Sequence, residues 1–187
     1  MKIRYTLLIL MAVTLLGCNN SSESLSNEEV IQKYFEGYSN GNFEEMAKLI
    51  ADTIKTIDVD FVLSKSRTEL YNIFQWDSVF SPKYKVLEIN PSDSATEATI
   101  WKTCKRIKFL HDTAIVCKYE FEFTDNKISK ITTTDYVLFD FKKWQSRRDT
   151  LEKWINSNHE ELKGYITDQS LKGAQNYVKA IDFYTNK

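Results

Sequence analysis

Residues 30–52 read VIQKYFEGYSNGNFEEMAKLIAD, and this stretch decides the fold. Val30, Ile31, Tyr34, Phe35 and Tyr38 recur at three- and four-residue spacing, the period of one helix face. Ser26 or Asn27 offers a cap in front of them. Glu28 and Glu29 add negative charge at the positive end of the helix dipole. Asn40-Gly41-Asn42 ends the helix. A second, shorter helix follows at once, with Phe43, Met46, Ala47, Leu49 and Ile50 apolar.

Downstream, the period switches. Residues 55–63 alternate and predict a strand. Residues 66–80 predict a third helix with Leu70, Ile73 and Phe74 inward. Residues 84–89 form a strand stopped by Asn90-Pro91-Ser92-Asp93. Residues 96–109, rich in Thr, Ile and Trp, read as one long strand with Trp101, Thr103, Ile107 and Phe109 on the core face. Residues 110–113, which include His111, read as a turn. Residues 114–124 alternate, with Ile115, Cys117, Tyr119, Phe121 and Phe123 on one face. Asp125-Asn126 signals a hairpin turn, and residues 127–139 return. From residue 141 the pattern is helical again, with Trp144, Leu151, Trp154 and Ile155 on one helix. Leu171, Ala174, Tyr177, Val178, Ile181 and Tyr184 mark another. The expected role of these last helices is to pack on the outer sheet face or to lid the mouth.

The order helix, helix, strand, helix, then long antiparallel strands resembles the nuclear transport factor two-like superfamily, which includes SnoaL-like proteins and ketosteroid isomerases. The junction Tyr38-Ser-Asn-Gly-Asn42 and the exit Leu49-Ile-Ala-Asp52 are similar to that family's opening helix pair. Phe121-Glu-Phe-Thr-Asp-Asn-Lys-Ile-Ser-Lys-Ile131 resembles its last hairpin. The resemblance implies an α+β fold, a cone-shaped curved antiparallel sheet wrapped around the N-terminal helices. A C-terminal helical extension follows. The corresponding domain runs over residues 27–139, and residues 140–187 are helices packed on it.

The resemblance also implies a blind pocket inside the cone. The family's oxyanion-donating Tyr falls on Tyr34, and its carboxylate base falls on Asp58. A carboxylate removes a proton beside a carbonyl, and a phenol then stabilises the enolate oxygen. The family's third position, a neutral carboxylic acid, falls on Tyr119, which departs from the pattern. Strand parity turns Ile131, Thr133 and Asp135 toward the pocket, with Cys117, Tyr119 and Phe121 in the same wall. Tyr34 also reads as a core residue with its hydroxyl at the pocket edge. Asp58 shares its face with Asp60, and Asp135 also suits a pairing with a base of the last helices.

At the front of the chain, Lys2 and Arg4 precede the apolar residues 6–16, then Gly17 and Cys18. A short basic segment, about ten apolar residues and a small residue before a cut describe a secretory signal. The run falls short of the ~20 apolar residues of a spanning helix. Leu15-Leu16-Gly17-Cys18 resembles the lipobox of bacterial lipoproteins, so Cys18 is the expected lipidation site. Residues 1–17 form the expected signal peptide, and residues 18–26 a lipidated, polar tether. The expected location is the cell envelope, anchored to a membrane and facing the periplasm or the surface.

The 187 residues are 42% hydrophobic, 13% aromatic and 27% charged, with a net charge of −1, five Gly and two Pro. That balance gives nucleic acid nothing to attract it. With two His, and no Cys-x-x-Cys or His-Glu-x-x-His, neither a metal nor a cofactor is expected. Cys104 and Cys117 are expected to stay unbonded, because parity places them on opposite strand faces. Three functions remain open. The first is a pocket for a small, largely apolar ligand. The second is an isomerase, cyclase or dehydratase using Asp58 and Tyr34. The third is a scaffold with a self-filled pocket, whose last helices meet a partner or a second copy as a homodimer.

Overall fold

A computed structural model of the chain describes residues 25–92 and 95–187. The signal segment and Cys18 lie outside the described residues. Helix α1 (Asn27–Asn40) starts in a capping box: Ser26 Oγ accepts from the Glu29 N–H, and Glu29 accepts from the Ser26 N–H. It ends on Gly41 at φ 68°, a left-handed backbone that glycine adopts without steric cost. Helix α2 (Phe43–Leu49) follows, capped by Asn42.

A six-stranded sheet wraps these helices. Its strands are β1 (Ile50–Asp58), β2 (Phe61–Ser64), β3 (Lys83–Pro91), β4 (Thr96–Thr103), β5 (Ile115–Thr124) and β6 (Lys127–Leu138). The order is β2-β1-β6-β5-β4-β3. The sheet is mixed, because β1 runs parallel to β6 while every other pairing is antiparallel. Helix α3 (Arg67–Ser78) closes one side.

Curvature comes from bulges. Opposite β5, strand β6 carries an extra residue at Ser129, Thr134 and Val137. Each unpaired residue bends the strand and raises its twist. The bend closes the inner face over α1, where Val30, Ile31, Tyr34, Phe35 and Tyr38 meet Ile100, Phe121, Ile128 and Ile131 in the first core.

The long strand expected over residues 96–109 stops at Thr103. Residues Lys105–His111 form a helix instead, α4, capped by Cys104 Sγ at 3.4 Å from the Ile107 nitrogen. The buried positions Ile107, Leu110 and His111 fit a helical face, and seven residues are too few for period alone to decide. His111 is buried rather than in a turn, and its Nε2 accepts from the Asp140 N–H at 2.8 Å. Trp101 lies on the face opposite the core, under Lys85, because the inward residues of β4 are Thr96, Ala98 and Ile100.

Helices α5 (Phe141–Asn158) and α6 (Leu171–Thr185), with a short turn at Glu160–Leu162 between them, pack on α3 and α4. Leu151, Ile155, Tyr165, Ala174, Tyr177 and Ile181 join Phe80, Ile107, Leu110, Ile115 and Cys117 in a second core. A fully buried aliphatic or aromatic side chain contributes about 1.5–3 kcal/mol. Ile115 and Cys117 share the β5 face that carries Phe121, so the helical layer covers the end of the cone rather than its outside.

Candidate functional site

A cavity of about 150 Å³ opens between α1, α3 and the inner sheet face. Each element presents its site residue through its own period. On α1, Tyr34 and Tyr38 are four residues apart. On α3, Leu70, Ile73 and Asp77 fall on one face. On β4, Lys102 ends the row Ala98, Ile100. Tyr119 comes from β5, Thr133 and Tyr136 from β6, Asp58 from the end of β1 and Tyr84 from β3. All except Ala98 and Ile100 line the cavity.

Two carboxylates each accept from a phenol. Tyr136 Oη donates to Asp58 at 2.8 Å to Oδ1 and 3.0 Å to Oδ2. Tyr38 Oη donates to Asp77 Oδ2 at 3.2 Å. Between these pairs, Lys102 Nζ donates to Tyr119 Oη at 3.2 Å. The same nitrogen lies 5.8 Å from the Tyr119 ring centroid and 5.6 Å from that of Tyr136, within cation–π range. Among the described residues no carboxylate forms an ion pair with Lys102.

Charge in the cavity follows from burial and neighbours. Burial pushes the Asp77 carboxyl up, against the pull of Arg106 and Lys102. Burial works against the Lys102 ammonium, while the polar groups around it, with Tyr119 as its hydrogen-bond acceptor, favour the charged form, and the net direction is upward. Burial also raises the phenols of Tyr34, Tyr38, Tyr84, Tyr119 and Tyr136. They are therefore neutral donors at physiological pH, facing one cation and two acids. Among the described residues the hydroxyls of Tyr34 and Tyr84 reach no hydrogen-bond partner.

Of the residues named from the sequence, Tyr34, Asp58, Tyr119, Ile131 and Thr133 line the cavity. Asp135 does not: it is exposed, because the bulge at Thr134 shifts the alternation by one and sends Tyr136 inward in its place. Cys117 and Phe121 are fully buried but belong to the two cores and do not line the cavity. Cys104 and Cys117 are unbonded, although both belong to the second core. Their separation does not come from the expected parity, since Cys104 lies beyond the end of β4 as the cap of α4.

Sequence reasoning missed Tyr38, Asp77, Tyr84, Lys102 and Tyr136 as site residues. Asp77 was within reach, being three and four residues beyond Phe74 and Ile73 on the predicted inner face. Lys102 was hidden by the opposite choice of face for β4.

No protein-family model matches the chain, and no curated protein matches it significantly in sequence. Solved structures do resemble it. Bal32a, from a soil-derived mobile gene cassette, has a TM-score of 0.52 at 14% identity over 65% of this chain and 95% of its own. A candidate ketosteroid isomerase from Kribbella flavida gives 0.50 at 15% identity, over 61% and 79%. TerC, crystallised with polyporic acid, gives 0.51 at 8% identity, over 65% and 96%. The fold is the nuclear transport factor two-like cone. At these identities the likeness concerns the cone alone, and such folds host many unrelated activities.

Proposed function

We propose that the chain is a small-molecule-binding protein that takes a ring-sized ligand into the cone cavity and is held at a membrane by lipid on Cys18. The observation that carries the binding reading is a hollow of about 150 Å³ whose wall presents the Tyr34 and Tyr84 hydroxyls without protein acceptors. A ligand oxygen that reaches these hydroxyls replaces water as their partner, for a net gain of about 0.5–1.5 kcal/mol per hydrogen bond. The volume suits a single six-membered ring, since an apolar cavity of about 150 Å³ holds benzene. The ligand is then a largely apolar ring with an oxygen at its edge. The solved relative TerC was itself crystallised with a small molecule, polyporic acid. The membrane anchor rests on Leu15-Leu16-Gly17-Cys18.

Thermal-shift titration of the full chain with phenol and cyclohexanone tests the binding, because a ligand selective for the native state raises stability by mass action. A saturable rise that Tyr34→Phe weakens is expected. No shift with either compound would refute the reading. Cell fractionation of the chain and of Cys18→Ala tests the anchor: the first partitions with membranes, and the second does not.

A second reading is proton transfer of the isomerase or cyclase kind, with Asp58 as base and Tyr34 as oxyanion donor. Its support is that both line one cavity. Against it, both Asp58 oxygens already accept from Tyr136, so the carboxylate is engaged before any substrate arrives. Turnover of an unconjugated cyclic enone, lost in Asp58→Asn with binding intact, would decide for this reading.

A further inference from the structure

A second cavity, about 240 Å³, lies where the helical layer meets the end of the cone. Asp77, Tyr84, Lys102 and Tyr136 line both cavities, so the two hollows adjoin at these side chains. The second cavity adds Arg106 and Trp144. The Arg106 guanidinium carbon sits 4.5 Å from the Trp76 ring centroid, 5.4 Å from Phe80 and 5.5 Å from Trp144. The three rings fix the cation in place but accept none of its N–H bonds along their edges. Among the described residues nothing accepts a hydrogen bond from this guanidinium, and its Nε is fully buried.

The charge count around this second hollow is unequal. Lys102 and Arg106 are the cations, and neither is in an ion pair among the described residues. Asp77 is the one carboxylate in the wall. Its Oδ2 already accepts from Tyr38, and burial pushes it toward the neutral form. An anchored guanidinium fork with its donors unmet, beside an ammonium, is a geometry that recognises a planar oxyanion.

We infer that the ligand is an acid, whose carboxylate is seated on Arg106 and Lys102 in the second cavity while its ring occupies the cone. This rests on the binding reading of the cone cavity and adds the ligand's charge. Tyr34, Phe35, Leu70 and Ile131 give the ring an apolar wall in the cone, so a cyclic carboxylate fits better than a hydrated inorganic anion.

Isothermal titration of the full chain with benzoate, its neutral isostere benzamide, and phenol tests this. Benzoate is expected to bind at least tenfold more tightly than benzamide and to weaken as salt is raised. Arg106→Gln is expected to lose at least tenfold for benzoate and to leave phenol binding unchanged. If Arg106→Gln fails to fold by circular dichroism, Arg106→Lys and Lys102→Met replace it, and each is expected to weaken benzoate severalfold. Equal affinity for benzoate and benzamide, or a folded charge variant that binds benzoate like the parent, overturns the inference. Phenol binding without benzoate binding overturns the inference alone. Benzoate binding without phenol binding overturns the cone reading and leaves the oxyanion site standing, and no binding of either overturns both.

Discussion

Tyr136 on β6 holds both oxygens of Asp58 on β1, at 2.8 and 3.0 Å, across the one parallel pairing of the sheet. Backbone pairing alone joins these strands only as far as Thr133, whose carbonyl accepts from the Val59 N–H at 3.0 Å. The phenol–carboxylate link continues the join past that point. A hydrogen bond to a charged group is worth about 1.5–3 kcal/mol, and partial exposure of both residues lowers this. Tyr136→Phe and Asp58→Asn are each expected to cost about 1–2 kcal/mol in urea unfolding. The double variant should cost clearly less than their sum. Simple additivity would show that the two residues do not stabilise each other.

Val59 begins the two-residue loop between β1 and β2 at φ 55°. Tight hairpin loops with a positive first φ favour glycine, and a β-branched residue there is strained. Relief of that strain, less the extra chain entropy of glycine, leaves a gain of about 0.5–1 kcal/mol. Val59→Gly is therefore expected to raise the urea midpoint with an unchanged slope. A lower midpoint would mean that the valine side chain contributes packing that outweighs its backbone.

Gly173 in the first turn of α6 lies against the Asp168 backbone. A Cβ at this position would stand 2.1 Å from the Asp168 carbonyl oxygen, which also accepts from Trp76 Nε1 at 3.2 Å. The obstruction is main chain, so a rotamer change cannot relieve it. Gly173→Ala is expected to destabilise by about 1–3 kcal/mol and to lower the thermal midpoint. The gain in helix propensity, about 1 kcal/mol, is too small to reverse the sign.

Asp112 joins α4 to α5 through Arg147 and Lys143. Hydrogen bonds from these two bases hold its carboxyl down at about 2. A carboxylate depressed in the folded state adds stability above its unfolded pKa, and that stability is lost as pH falls through the folded value. The stability difference between the parent and Asp112→Asn should be full at pH 5–7, shrink below about pH 4 and vanish only below pH 2. Asn tolerates the positive φ of 68° found here, so the comparison isolates the charge. A difference independent of pH would rule out the ion pairs as its source.

The opening helices were legible because cap, period and stop agreed: a cap at Ser26 or Asn27, the 30–38 face and the Asn40-Gly41-Asn42 stop bracket one helix. The β5–β6 hairpin was legible from its alternation and its Asp125-Asn126 turn. The sequence carries no visible mark of the bulges at Ser129, Thr134 and Val137. Thr134 sits in a run of three threonines that suits either face equally, so Asp135 and Tyr136 exchange roles without warning. Lys102 was missed for a related reason. A lysine on an inward face contradicts binary patterning, and such contradictions concentrate where a protein binds something.

Pairing Lys55 on β1 with Lys130 on β6 also sets an order of events. A nascent chain presents α1, α2 and the β1–β2 hairpin long before β6 exists to receive them. Contacts so distant along the chain slow folding. Until they form, β1 lacks one neighbour, and Phe61, 74% exposed even in the finished molecule, adds an apolar side chain on its β2 partner. Until β6 arrives, β1 is thus an open strand edge, where a wrong partner can pair.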